Sequence, residues 1–245
     1  MLTIEAHEDT IMIKRAVYCG TLCLALAGAT LQAGTLIIGT PATAGNCDPF
    51  GCPGFFGLGT YQQVYTSAAF PGTIAIDDLT FYQSQVLHNG GQTSDATFTL
   101  SLSYTSAGPG DLDLSDGPNA NIESGTEDTF FSGTLPALTP YINENLLVFS
   151  GTPFTYNPAD GNLLLTVTVT DATDTLPYLY LDQSGTIEPT SNAYFGSVNG
   201  GNNPGLVTGV DYTASTSPTP EPASVLLVLA GIGLLGYRSR HWHNN

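Results

Sequence analysis

The chain has 245 residues and a formal net charge of −17, with four Lys and Arg against 21 Asp and Glu. All four cations, Lys14, Arg15, Arg238 and Arg240, fall near the two ends. The long stretch between them has no Lys or Arg to hold a phosphate, which excludes nucleic-acid binding and phosphoryl transfer.

Met12-Ile13-Lys14-Arg15 is a charged start, and Ala16 to Ala29 is an apolar run behind it. That order predicts a signal peptide over residues 1–33, read by the export translocon and signal peptidase. Glu5, Glu8 and Asp9 are unlike a signal start, so Met12 is taken as the true first residue. Small residues mark possible cuts after Ala29, Ala33 or Ala44, and Ala33 is preferred. Cys19 and Cys23 leave with this segment, and neither sits in a lipobox.

A single domain is expected over residues 34–212, long enough for one core. Of the 21 acidic residues, Glu5, Glu8, Asp9 and Glu221 lie outside residues 34–217, which leaves 17 within. Such a surface keeps chains apart and attracts cations. Cys47 and Cys52 remain after processing, separated by Asp48-Pro49-Phe50-Gly51. This is turn chemistry, and export to an oxidising compartment predicts a short-loop disulfide. Zinc would need more Cys or His than His88 supplies.

Period-2 alternation dominates the middle of the chain. Phe98, Leu100, Leu102 and Tyr104 alternate with Thr97, Thr99, Ser101 and Ser103. Leu163, Leu165, Val167 and Val169 alternate with Leu164, Thr166, Thr168 and Thr170. Each reads as a strand with one buried and one wet face. Shorter strands are expected at Thr73–Ile76, Leu79–Tyr82, Thr129–Ser132, Leu146–Ser150, Tyr178–Asp182 and Leu206–Thr213. Gly, Pro, Asn and Asp fill the gaps, as in Gly108-Pro109-Gly110, Gly117-Pro118-Asn119 and residues 199–204. No stretch shows a sustained helical period. The fold class expected is all-β, an antiparallel β-sandwich of jelly-roll type.

Several residues carry candidate chemistry. Asp111, Asp113, Ser115 and Asp116 crowd one turn-rich segment, and oxygen-only ligands suit Ca²⁺. The segment departs from an EF-hand loop at Gly117 and Ile122, and a solvated acidic loop is the plainer alternative. Asp171, Asp174 and Asp182 form a weaker group. Asp77-Asp78 sits within a strand pattern and reads as one exposed carboxylate and one turn contact. Glu123, Glu127, Glu144 and Glu188 are the pool for a glycosidase pair, but sequence alone places no two of them opposite each other. His88 sits beside the hairpin signal Asn89-Gly90 and reads as a loop residue. Tyr61, Tyr65, Tyr156, Tyr178, Tyr180 and Tyr194 are the tyrosines available for stacking on sugars, or for the core.

The tail is the most specific passage. A Ser/Thr/Pro linker is expected over 213–219. Pro220-Glu221-Pro222 follows, then an apolar, Gly-dotted run over 224–237, then Arg238-Ser239-Arg240. Fourteen helical residues reach about 21 Å, short of a hydrocarbon core of about 30 Å. Such a span needs a thinned bilayer or snorkelling arginines, which suits a transient stop better than a lasting anchor. The basic end keeps the C-terminus cytoplasmic. The alternative is a buried C-terminal helix of a soluble domain.

Residues 218–240 resemble the PEP-CTERM sorting signal of Gram-negative bacteria that build an exopolysaccharide matrix. The resemblance implies an exosortase-type membrane protease that recognises Pro220, Glu221 and Pro222. Tyr61-Gln62-Gln63-Val64-Tyr65, with residues 153–158 and 161–165, resembles an extracellular domain of unknown function found beside such signals, and implies no activity. Three readings stay open. One is an exported, non-enzymatic surface or matrix protein, associated with exopolysaccharide and needing no cofactor. The others are a carbohydrate-binding or Ca²⁺-dependent adhesion module, and a polysaccharide hydrolase.

Overall fold

The computed structural model describes residues 32–52, 59–84, 96–135, 146–172, 179–196 and 199–215, with the side chains of 42–44 set aside. These form one compact unit, Gln32–Ser215. The sorting residues Pro220, Glu221, Pro222, Arg238 and Arg240, the apolar run and most of the signal segment lie outside them, as do His88, Glu144, Asp174 and Tyr178. No helix among the described residues is long and apolar enough to cross a membrane.

Among the described residues there are twelve strands: β1 (Ala33–Ile38), β2 (Pro41–Asn46), β3 (Thr60–Tyr65), β4 (Ile74–Tyr82), β5 (Thr97–Thr105), β6 (Asp128–Thr134), β7 (Leu146–Tyr156), β8 (Asn162–Thr170), β9 (Leu181–Ser184), β10 (Thr190–Phe195), β11 (Gly200–Pro204) and β12 (Thr208–Ala214). A four-stranded sheet runs β1-β12-β4-β7, a six-stranded sheet runs β11-β10-β3-β8-β5-β6, and β2 and β9 form a ribbon. Every pairing between these strands is antiparallel. The all-β sandwich is as expected.

Its interior is built by alternation. Ile74, Ile76, Leu79 and Phe81 of β4 meet Phe98, Leu100 and Leu102 of β5 and Leu163, Leu165 and Val167 of β8 in one buried cluster. Phe50 stands at its centre, with ring centroids 4.9 Å from Phe81 and Phe149 and 5.6 Å from Phe98. The Cys47–Cys52 disulfide closes the ring that delivers Phe50, its Cα atoms 5.2 Å apart. Gly51 is required there, because a Cβ would stand 2.0 Å from the Leu179 carbonyl oxygen.

Several expected boundaries are corrected. Thr73–Ile76 and Leu79–Tyr82 are one strand, β4, bulged at Asp77. Of the strand expected from Tyr178 to Asp182, Tyr178 lies outside the described residues, Leu179 and Tyr180 are not in a strand, and β9 starts at Leu181. Residues 199–204 look like turn filler but include β11, which pairs only with β10. An edge position tolerates Gly and Pro because half its ladder is unused. β12 runs to Ala214, and the Ser215 amide donates to the Thr73 carbonyl at 3.0 Å, so the first residues of the expected linker belong to the fold. The domain also opens on a strand: Ala33 pairs with Thr213, and the Gln32 carbonyl accepts from the Ala214 amide at 2.8 Å. A cut after Ala33 would leave Gly34 at the head of β1, whereas a cut after Ala44 would remove that strand.

The larger correction concerns the wet faces of β5 and β8. Ser101, Ser103, Thr105, Leu164 and Thr166 are all buried. Residues 106–127 cross the outer face of the six-stranded sheet as a roof. Beneath them lies a second small core of Val64, Leu112, Leu164, Ala193 and Phe195, packed with Ala107, Leu114 and Ile122.

Candidate functional site

The strand β3 explains its own Gln-Gln pair. Its period of two sends Tyr61 and Tyr65 into the inter-sheet core and Val64 under the roof. Gln63 reaches inward: its Nε2 donates to the Leu206 carbonyl at 2.9 Å and Thr208 Oγ1 at 3.1 Å, and its Oε1 accepts from the Leu206 amide at 2.9 Å. Gln62 reaches outward: its Nε2 donates to the Pro118 carbonyl at 2.9 Å, and its Oε1 accepts from Asn121 Nδ2 at 3.0 Å. Adjacent glutamines thus fasten β12 on one side and the roof on the other.

The expected Ca²⁺ loop is part of this roof. Leu112 is buried, and its amide donates to Asn202 Oδ1 at 3.1 Å. The Asp113 amide donates to Asn121 Oδ1 at 2.7 Å, while Asn121 returns a bond to the Asp113 carbonyl. The Asp113 carboxylate accepts from the Ser115 hydroxyl at 2.6 Å and the Ser115 amide at 2.7 Å, and the hydroxyl bond holds its pKa down. Asp111 and Asp116 are exposed. Among the described residues, the only three His, Cys, Asp or Glu ligand atoms within 4.8 Å of one another belong to Cys47, Asp48 and Cys52. The structure therefore does not gather Asp111, Asp113 and Asp116.

Asp48, which the sequence did not single out, is strongly perturbed by burial. Its side chain is 5 % exposed, and desolvation pushes its pKa up to about 7. Oδ1 lies 3.3 Å from Cys52 Sγ. A disulfide sulfur carries no hydrogen, so a hydrogen bond in this contact requires a protonated carboxyl. The Asp48 amide donates to Asn46 Oδ1 at 3.0 Å, and Asn46 Nδ2 donates to the Tyr194 hydroxyl. With Cys47 and Cys52 joined, the ring holds neither a free thiol nor a metal ligand pair.

The tyrosines mostly serve the core. Tyr61, Tyr65 and Tyr156 are at most 2 % exposed, so stacking on an external sugar is closed to them. Tyr180 and Tyr194 are half-buried. Of the carboxylates considered for hydrolysis, Glu123, Glu127 and Glu188 are exposed.

The open surface is on the four-stranded sheet. Bulges in β4 and at its β7 partner leave Asp77 without a cross-strand partner, while Asp78 pairs with Asp211 on one side and Ser150 on the other. A bulge re-aims side chains, and here it opens a shallow groove of about 500 Å³ between Thr35 of β1, Asp77 and Asp78 of β4, and Asp211 and Tyr212 of β12. Asp77 Oδ2 accepts from Thr213 Oγ1 at 2.8 Å, and Asp211 Oδ1 accepts from Thr35 Oγ1. No Lys or Arg exists in the domain to neutralise these carboxylates.

Over residues 218–240 the chain matches the PEP-CTERM protein-sorting motif. The motif marks an exported protein processed by an exosortase, a membrane protease. No curated protein and no solved structure matches the chain.

Proposed function

We propose that this exosortase substrate is a non-enzymatic surface or matrix protein, released into or held within the exopolysaccharide layer. The observation that carries the reading is the order of segments. A complete sandwich closes at Ser215, and the sorting motif begins three residues later. A cut after Ala33 and a cut beyond Ser215 fall at or outside the bounds of β1 and β12, so removing both ends leaves every strand of the sandwich in place. A disulfide ring in its core fits an oxidising destination. The transient membrane hold comes from residues 224–237, and Arg238 and Arg240 keep the tail on the cytoplasmic side.

A chain lacking 218–245 tests this. Loss of the protein from the envelope and matrix fractions, with unchanged export across the inner membrane, is the expected result. The same fractionation with and without the tail would contradict it.

A carbohydrate-binding role is favoured over hydrolysis by one feature. The outer face of the four-stranded sheet presents carboxylate acceptors beside the exposed apolar side chains of Ile37, Leu146 and Val148.

A further inference from the structure

Among the described residues, the outer face of the four-stranded sheet keeps several large apolar side chains exposed, and its side chains fall into rows set by register. Ile37, Gly209, Thr80 and Val148 form one row across β1, β12, β4 and β7. Tyr82 pairs with Leu146 at its corner. A Cβ on Gly209 would stand 2.6 Å from the Tyr82 hydroxyl, so the missing side chain lets the tyrosine lean across the row. Ile37, Leu146 and Val148 are 59, 46 and 49 % exposed, three of the four large apolar side chains so exposed among the described residues. Two residues along the strands, about 7 Å away, Thr35, Asp211, Asp78 and Ser150 form the next row.

From this pattern we infer that the face binds a polysaccharide bearing protonated amines, such as a de-N-acetylated hexosamine polymer. The inference rests on the matrix reading and names its ligand. Charge complementarity selects the occupant. Carboxylates accept hydrogen bonds from ammonium and hydroxyl groups, while uronate, phosphate or sulfate polymers find no cation in a domain without Lys or Arg. A second copy of this chain would set Asp78 and Asp211 against their own kind. The apolar row suits the C–H face of a sugar ring. Of the Trp, Tyr and Arg anchors that dominate protein interfaces, the row holds one, Tyr82, whose ring can also lie against a sugar. The Asp77, Asp78 and Asp211 carboxylates do not all lie within 4.8 Å of one another, which fits charges spaced along a polymer.

The test uses the mature protein recovered from cells and glucosamine oligomers of one length, fully acetylated or fully deacetylated, at a pH where the amines are protonated. Binding to the deacetylated form is expected to exceed binding to the acetylated form at least tenfold. D78N with D211N should lower it at least tenfold. I37S with V148S, which leaves the charge untouched, should lower it several-fold. E123Q with E127Q removes the same charge from the roof and should change nothing. Melting temperatures of all variants establish that each is folded. Equal binding of both oligomers, equal loss in the roof variant, or tighter binding of a Lys-rich peptide than of the sugar would overturn the inference. Because the assay is done in solution, its failure would leave the sorting experiment's outcome untouched.

Discussion

The two sheets treat their outer faces in opposite ways. The six-stranded sheet is roofed by residues 106–127, which bury Leu164, Val64 and Phe195 and turn serines and threonines on β5 and β8 into interior groups. The four-stranded sheet leaves Ile37, Val148 and Leu146 in solvent beside a row of carboxylates. A chain that seals one face with its own loop and keeps large apolar groups exposed on the other has separated stability from contact with the outside. Substitutions under the roof should therefore unfold the protein, and substitutions on the open face should alter only what it touches.

The largest expected effect belongs to neither face, and it sets the baseline for both. Asp48 has its folded pKa pushed from 3.8 to about 7 by burial. A carboxyl raised in this way binds its proton more tightly in the native state, so its ionisation opposes folding. Stability is greatest below about pH 4, falls as the pH rises towards 7, and levels off above that. The full swing is on the order of 4 kcal/mol. Urea melts across this range should show the decline, and Asp48→Asn should remove most of it. A wild-type profile that rises between pH 4 and 7 would show that Asp48 is not buried as described. Tyr61 and Tyr194 face the same carboxyl, and both stay neutral throughout because burial raises their own pKa values.

The roof comes next. Gln62→Ala takes away the donor to the Pro118 carbonyl and one of the two acceptors of Asn121 Nδ2, and should cost about 1–3 kcal/mol. Limited proteolysis should then cut within 106–127 before the sandwich itself. Unchanged stability would make the roof an ornament rather than a seal. The smallest effect is predicted on the open face. Val148→Ser and Ile37→Ser should each shift stability by no more than about 0.5 kcal/mol. A larger loss would mean that this face is covered in the native protein and would blur the contrast.

How much of this was legible in the residues follows the same division. The long alternating runs of β5 and β8 gave the sandwich directly, because large apolar side chains recurred every second residue. The same runs misled about their hydroxyl faces, since Ser and Thr look wet unless something covers them. The cover was written in residues 111–116, but the carboxylates drew attention away from it. Leu112 and Leu114, interleaved with Asp, show a segment laid against a sheet, and Asp113 is spent on Ser115. β10 and β11 were missed because Ser191 and Asn192 are buried polar groups held by tertiary partners, and Gly200-Gly201 reads as a turn. The open face could not be read before register was known. Ile37 and Val148 lie 111 positions apart in the sequence, and only the β1-β12-β4-β7 order makes them one row. The sorting motif was the opposite case, legible from 23 residues because its signal is local.

The intact mass of the released protein tests most directly the claim that a finished sandwich sits between two removable ends. The account predicts a chain that starts no later than Gly34, retains the Cys47–Cys52 disulfide and ends near Pro220–Pro222. A released form that still ends at Asn245, or that begins beyond Ala44 and so lacks β1, would contradict it.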